Sequence, residues 1–190
     1  MLKKSMLVTA LLACAAAQAE VAHPGYAALL LQSNSLTIKA ASGSAEFEPV
    51  MTGLALGYEF GEYFALEGRA LKNSNSDAIG PVKLKISSEF HLQARVHYPV
   101  LEQVRVYATL SHVRSNYSMQ ASPNGSGGTT TGFTASGAGY GVGAEYLLTP
   151  QWKLALEQQW LPEDDFNDRL TNLNIQTEAK ALTFKTSYAF

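Results

Sequence analysis

Leu84-Lys85-Ile86-Ser87-Ser88-Glu89-Phe90-His91-Leu92-Gln93-Ala94-Arg95-Val96-His97-Tyr98 is the stretch that decides the fold. One set of alternate positions carries Leu84, Ile86, Ser88, Phe90, Leu92, Ala94, Val96 and Tyr98; the other carries Lys85, Ser87, Glu89, His91, Gln93, Arg95 and His97. A period of two belongs to a strand whose successive side chains point to opposite sides, and no amphipathic helix reproduces it.

The same alternation recurs on both sides. Val50, Thr52, Leu54, Leu56, Tyr58 and Phe60 stand opposite Met51, Gly53, Ala55, Gly57 and Glu59, and Phe64 and Leu66 stand opposite Glu67 and Arg69. Val104, Val106, Ala108 and Leu110 alternate with Arg105, Tyr107 and Thr109, and Tyr140, Val142, Ala144, Tyr146 and Leu148 with Gly139, Gly141, Gly143 and Glu145. Trp152, Leu154, Leu156 and Trp160 alternate with Lys153, Ala155, Glu157 and Gln159, and Leu182, Phe184, Tyr188 and Phe190 accompany Thr183, Lys185 and Ser187. A segment near Tyr26 to Ser33 completes a set of eight strands, although Ala27-Ala28-Leu29-Leu30-Leu31 does not alternate.

Short connections at Gly61-Glu62, Pro99 to Gln103 and Thr149-Pro150-Gln151 take turns with long ones at residues 40–49, 72–81, 119–132 and 162–174. Tight turns alternating with long loops describe an up-and-down antiparallel barrel in an outer membrane, with the turns periplasmic and the loops extracellular. The expected fold is therefore all-β, an eight-stranded antiparallel transmembrane barrel.

A soluble barrel would turn its apolar face inward. Here Tyr58, Phe60, Tyr63, Phe64, Tyr98, Tyr146, Trp152, Tyr188 and Phe190 gather at the short-turn ends, as interfacial girdles do. The polar positions carry both signs of charge: Glu59, Glu67, Glu89, Glu145 and Glu157 against Arg69, Lys85, Arg95, Arg105, Lys153 and Lys185. Placed inside, these residues make a network of ion pairs that fills the lumen of so narrow a barrel.

Met1 to Ala19 reads as a secretory signal peptide, with Lys3 and Lys4 before an apolar run and cleavage after Ala19, leaving a barrel domain at 20–190. Two other readings are a membrane anchor, for which the run is short, and a lipoprotein box, Leu11-Leu12-Ala13-Cys14, with Cys14 lipidated. Cys14 is the only cysteine, so the processed chain would hold together without disulfides. Without Lys3 and Lys4, 12 basic residues face 16 acidic ones, a net charge of −4 that offers nothing to nucleic acid.

The terminal Leu182, Phe184, Tyr188 and Phe190 resemble the C-terminal signal of bacterial outer-membrane barrels that the barrel assembly machinery reads. Gly57-Tyr58-Glu59-Phe60, Phe64-Ala65-Leu66-Glu67-Gly68-Arg69 and Tyr140-Gly141-Val142-Gly143-Ala144-Glu145-Tyr146 resemble strands of the small OmpA-like and OmpX-like barrels of the "porin family". The resemblance implies residence in the lipid bilayer of the outer membrane, and a chain ending at Phe190 implies a barrel without a peptidoglycan-binding domain. It also implies an assembly role for Phe184, Tyr188 and Phe190, and a non-enzymatic protein without cofactors whose loops take part in surface interactions or envelope integrity.

Three further possibilities come from particular residues. A narrow pore or lateral path could use the space beside Gly139, Gly141 and Gly143, although these glycines more simply let a neighbour such as Tyr107 pack. A lipid-modifying enzyme could use Ser111-His112 or Ser115, but His112-Val113-Arg114-Ser115-Asn116 has the wrong spacing and His112 falls on the lipid side, whereas His91 and His97 point inward. Glu163-Asp164-Asp165 with Asp168 lacks the ordered spacing of a calcium loop, and Ser122 to Gly128 reads as a flexible loop tip, an inert one more simply than one that serves an extracellular ligand.

Overall fold

A computed structural model of the chain describes residues 23–40, 43–74, 77–79, 82–121, 129–162, 165–168 and 173–190, with side chains in all of these but 38–40, 43–47, 77–79, 82–85, 119–121, 129–131, 133, 165–168 and 173–178. Eight long strands form the wall: β1 (Gly25–Ala40), β3 (Val50–Phe60), β4 (Phe64–Asn73), β6 (Val82–Leu101), β7 (Val104–Ala121), β8 (Thr129–Leu147), β9 (Trp152–Trp160) and β11 (Leu173–Ala189). Three short ones, β2 (Gly43–Phe47), β5 (Asp77–Ile79) and β10 (Asp165–Asp168), extend hairpins at one end. Every adjacent pair is antiparallel, and β11 closes on β1, with Phe184 beside Leu31 and Tyr188 beside Ala27. The Phe190 N–H also donates to the Gly25 carbonyl at 2.8 Å. In a closed barrel the backbone has no free edge to present to lipid.

The strands are tilted. Stepping across the ladder from Gly25 leads through Tyr58, Leu66, Ala94, Leu110, Tyr140, Trp160 and Lys180 and returns to β1 at Ser35, ten residues above the start. That stagger fixes the width of the lumen together with the number of strands.

Burial follows parity in the sense required by lipid. Leu54, Leu56, Leu92, Leu110, Val142 and Leu156 are each more than half exposed, while Glu67, Arg95, Gln93 and Lys185 are almost wholly buried. The expected girdle is present: Tyr58, Phe60, Tyr63, Tyr98, Tyr146, Trp152, Tyr188 and Phe190 are exposed at the short-turn end, with Trp152 and Tyr188 edge-on at 5.1 Å and Phe64 half-buried. Toward the opposite end Tyr140 and Trp160 stack at 5.3 Å on neighbouring strands. Gly61, in the turn after β3, has φ of 72°, a conformation glycine adopts without steric cost.

The structure corrects the sequence reading in three places. Residues assigned to long loops continue in part as paired strand: β2, β5 and β10 lie in them, and the ends of β1, β4, β7, β8 and β11 run into them. The weak first strand is sixteen residues long and does alternate, with Tyr26, Ala28, Leu30, Gln32, Asn34 and Leu36 all buried. Its run looked continuous because two inward positions, Ala28 and Leu30, are themselves apolar. The third correction concerns Ile86, assigned with Leu84 to the outer face; the side chain of Leu84 lies outside the described ones. Ile86 pairs with Tyr117 but the next pair is Ser88 with Asn116, so Ser87 is an extra residue on β6, and Ile86 is buried in the interior. A bulge reverses parity beyond it.

Candidate functional site: the filled lumen

The interior begins, at the short-turn end, with four charges on four strands. Lys153 Nζ donates to Glu59 Oε1 at 2.6 Å, and Arg105 Nη2 reaches Glu145 Oε1 at 2.5 Å and Glu59 Oε1 at 3.3 Å. Arg95 links this tier to the next, with Nη2 3.6 Å from Glu145 and Nη1 3.4 Å from Glu67.

Glu67 is the centre of the second tier. Its Oε1 accepts from Arg69 Nε at 2.6 Å and Gln93 Nε2 at 3.0 Å; its Oε2 accepts from Tyr26 Oη at 2.6 Å and Lys185 Nζ at 2.8 Å. Arg69 then grips Glu157 with both terminal nitrogens at 2.9 and 2.8 Å, the bidentate geometry that makes arginine–carboxylate pairs strong. The network therefore ties β3, β4, β6, β7, β8, β9 and β11 together across the lumen.

Two tyrosines complete this tier. The Arg95 guanidinium lies 3.9 Å over the Tyr107 ring, and its Nη1 meets the Tyr26 hydroxyl at 3.3 Å. Each ring rests on a glycine of the neighbouring strand, Tyr26 on Gly57 and Tyr107 on Gly143, and a Cβ on either glycine would collide with the ring. The glycines on β8 thus make room for a packed neighbour, as expected of Gly143.

Toward the other end the interior changes character. Ala28, Leu30, Met51, Ala55, Leu71 and Ile86 form one apolar cluster; Leu36, Val113, Leu161, Ala179 and Ala181 form another, and Tyr117 packs against both. Glu89 is the only buried carboxylate among the described residues there. It accepts from Gln32 Nε2 at 2.8 Å, Ser115 Oγ at 3.2 Å and Asn34 Nδ2 at 3.5 Å, and lies 3.3 Å from His91 Nε2.

Ten of the eleven residues expected inside are therefore buried and paired in the lumen: Glu59, Glu67, Arg69, Glu89, Arg95, Arg105, Glu145, Lys153, Glu157 and Lys185. Lys85 lies outside the described side chains, as do Glu163, Asp164, Asp165, Asp168 and the tip 122–128. His91 and His97 are buried and His112 is exposed. Ser111 and His112 face opposite sides of the wall, and Ser115 and His91 bind different oxygens of Glu89, so neither pair sets a base on a hydroxyl. Tyr26, Gln32 and Asn34 are the polar interior residues of β1 that sequence reasoning missed; once β1 is read with period two, their parity places them inside.

A closed eight-stranded barrel with an apolar outer sleeve and a charged, packed lumen defines a transmembrane barrel of the outer-membrane type. The chain belongs to the family described as outer membrane protein beta-barrel domain, which matches residues 5–190. It is an integral protein of the bacterial outer membrane. Among solved structures, it is similar to Ail, the attachment invasion locus protein of Yersinia pestis (TM-score 0.57, 12% identity, covering 88% of this chain and 99% of that one). Neisserial surface protein A is similar too (TM-score 0.52, 17% identity, 86% and 97% covered), as is the outer membrane protease OmpT from Escherichia coli (TM-score 0.53, 10% identity, 92% and 99% covered). No curated protein matches the chain. The likenesses are of fold alone, and with a protease among them the fold does not decide for or against catalysis.

Proposed function

We propose that the protein is a non-enzymatic outer-membrane barrel, closed by its own side chains, whose function lies in its hairpins at the cell surface and in envelope integrity. In this reading residues 1–19 are the signal peptide, the short turns lie in the periplasm and the long hairpins outside. Phe184, Tyr188 and Phe190 are the signal for the barrel assembly machinery, and any extracellular ligand meets the hairpins. The observation that carries the reading is the interlocked network from Lys153–Glu59 through Arg95 to Glu67–Arg69–Glu157, which fills the lumen on the short-turn side.

Refolded protein in a planar lipid bilayer tests it. Absence of discrete conductance steps from protein with proven barrel mobility on a gel is the expected result. Reproducible openings would instead favour a narrow pore. One observation speaks for that second reading: Tyr107 Oη, Thr109 Oγ1, Ser111 Oγ and Gln159 Oε1 are buried without hydrogen-bond partners along the wall by the β8 glycines. Orientation has its own test, maleimide labelling of intact cells carrying Ser126→Cys, with labelling expected.

A further inference from the structure

The outer surface is not uniform. Gly68 on β4 leaves open space where a side chain would stand, with nothing within 4 Å of an added Cβ. Around it, Ala27 and Ala70 are also small, while Leu54, Leu56, Phe90 and Leu92 stand up on either side, and a groove of about 710 Å³ results. Its loop-end margin is formed by His112 and Arg114 of β7, placed beside Leu92 and Phe90 by the strand register.

Both groups are unusual for a face that meets lipid. His112 and Arg114 are exposed and make no ion pair or side-chain hydrogen bond among the described residues. Among the described residues no carboxylate lines the groove. Lys72, on the far side of Phe90, is a second exposed cation: it pairs with Ser88, which pairs in turn with Asn116, two residues beyond Arg114. Asn116 donates to Ser88 Oγ at 2.9 Å and accepts from Thr134 at 2.9 Å. This row of outward polar groups marks where the apolar sleeve ends. Arg114 and Lys72 thus lie at that boundary, while the groove runs below it through the apolar sleeve.

Among the described side chains the exposed lysines and arginines are Lys72, Arg114 and Lys180, all toward the hairpin end, where Glu48 is exposed as well; Glu62 and Glu102 are exposed at the short turns. A charge on the lipid side of a barrel is costly near mid-bilayer and cheap at the interface, where an anionic head group can meet it.

We infer that this groove holds an acyl chain of a phosphorylated glycolipid of the outer leaflet, with the head-group phosphate bound by Arg114 and supported by Lys72 and His112. An apolar channel ending at unpaired cations matches a ligand whose apolar tail ends in an anion, and on the hairpin side that ligand must come from the outer leaflet. The inference rests on the orientation proposed above.

Native mass spectrometry of the refolded barrel in detergent, offered hexa-acyl lipid A with two phosphates or its phosphate-free counterpart, tests it without reference to orientation. Failure here therefore stays distinct from failure of cell-surface labelling. The wild type should retain the phosphorylated lipid at least about tenfold better than the phosphate-free one, as expected for loss of a charge-assisted contact. Arg114→Gln should remove most of that preference, and Gly68→Leu, which fills the groove with a lipid-compatible side chain, should weaken retention of both lipids. Lys180→Gln, on β11 away from the groove, should change neither. Equal retention of the two lipids by the wild type, or unchanged retention by Arg114→Gln and Gly68→Leu folded to the same gel mobility, would overturn the site.

Discussion

The two halves of the lumen are packed by different means. On the short-turn side, four carboxylates and five cations are joined in a continuous network, with Tyr26 and Tyr107 as its walls. On the hairpin side, two apolar clusters fill the space and Glu89 is held mainly by neutral donors. The contrast separates two ways of plugging a barrel. A charge network is demanding, because every member depends on its neighbours, whereas an apolar cluster degrades gradually as volume is lost.

That difference gives the order of expected effects, measured as urea unfolding of vesicle-inserted protein followed through Trp152 and Trp160. Glu67→Ala should be the most damaging, at about 3 to 5 kcal/mol, because Arg69, Arg95 and Lys185 lose a shared partner in a buried site. A loss below about 1 kcal/mol would mean that solvent reaches the network and that the lumen is not closed there. Met51→Ala, in the apolar half, should cost about 2 to 5 kcal/mol through the cavity it leaves, with its place in that range set by how far Leu30 and Leu71 collapse.

Leu92→Arg examines the wall between the halves. Arginine on the lipid face in mid-bilayer costs about 2 to 4 kcal/mol, and normal insertion of that variant would overturn the assignment of the outer face of β6. The smallest effect should come from Glu89→Gln, at about 1 to 2 kcal/mol, since a neutral amide still accepts from Gln32 or Ser115. A loss as large as that of Glu67→Ala would erase the distinction between the halves.

Most of the wall was legible because parity is a local property: in β3, β4, β7, β9 and β11 alternate residues report the face directly. Parity names the side but not the height. That Lys185 meets Glu67, 118 residues away, follows from strand register and a ten-residue stagger, which no single strand encodes. The first strand was obscured by chemistry, since Ala28 and Leu30 face an apolar part of the lumen and so look like their lipid-facing neighbours. Ile86 was misplaced for a geometric reason: the surplus residue at Ser87 leaves no compositional trace, and its serine suits strand and bulge alike. The packing of Tyr26 and Tyr107 on glycines of adjacent strands was readable only in part, because the glycines announced space without naming its occupant.

The surplus residue at Ser87 also bears on how such a chain can vary between generations. In an unbroken ladder, inserting or deleting one residue exchanges inside for outside along the rest of the strand. Because the phase of β6 is already reset at Ser87, a length change there leaves the parity from Glu89 to His97 untouched and alters only the hairpin beyond. The ion-paired half is thereby insulated from drift in the apolar half, and the hairpin beyond is free to diversify while the anchor beneath it stays the same.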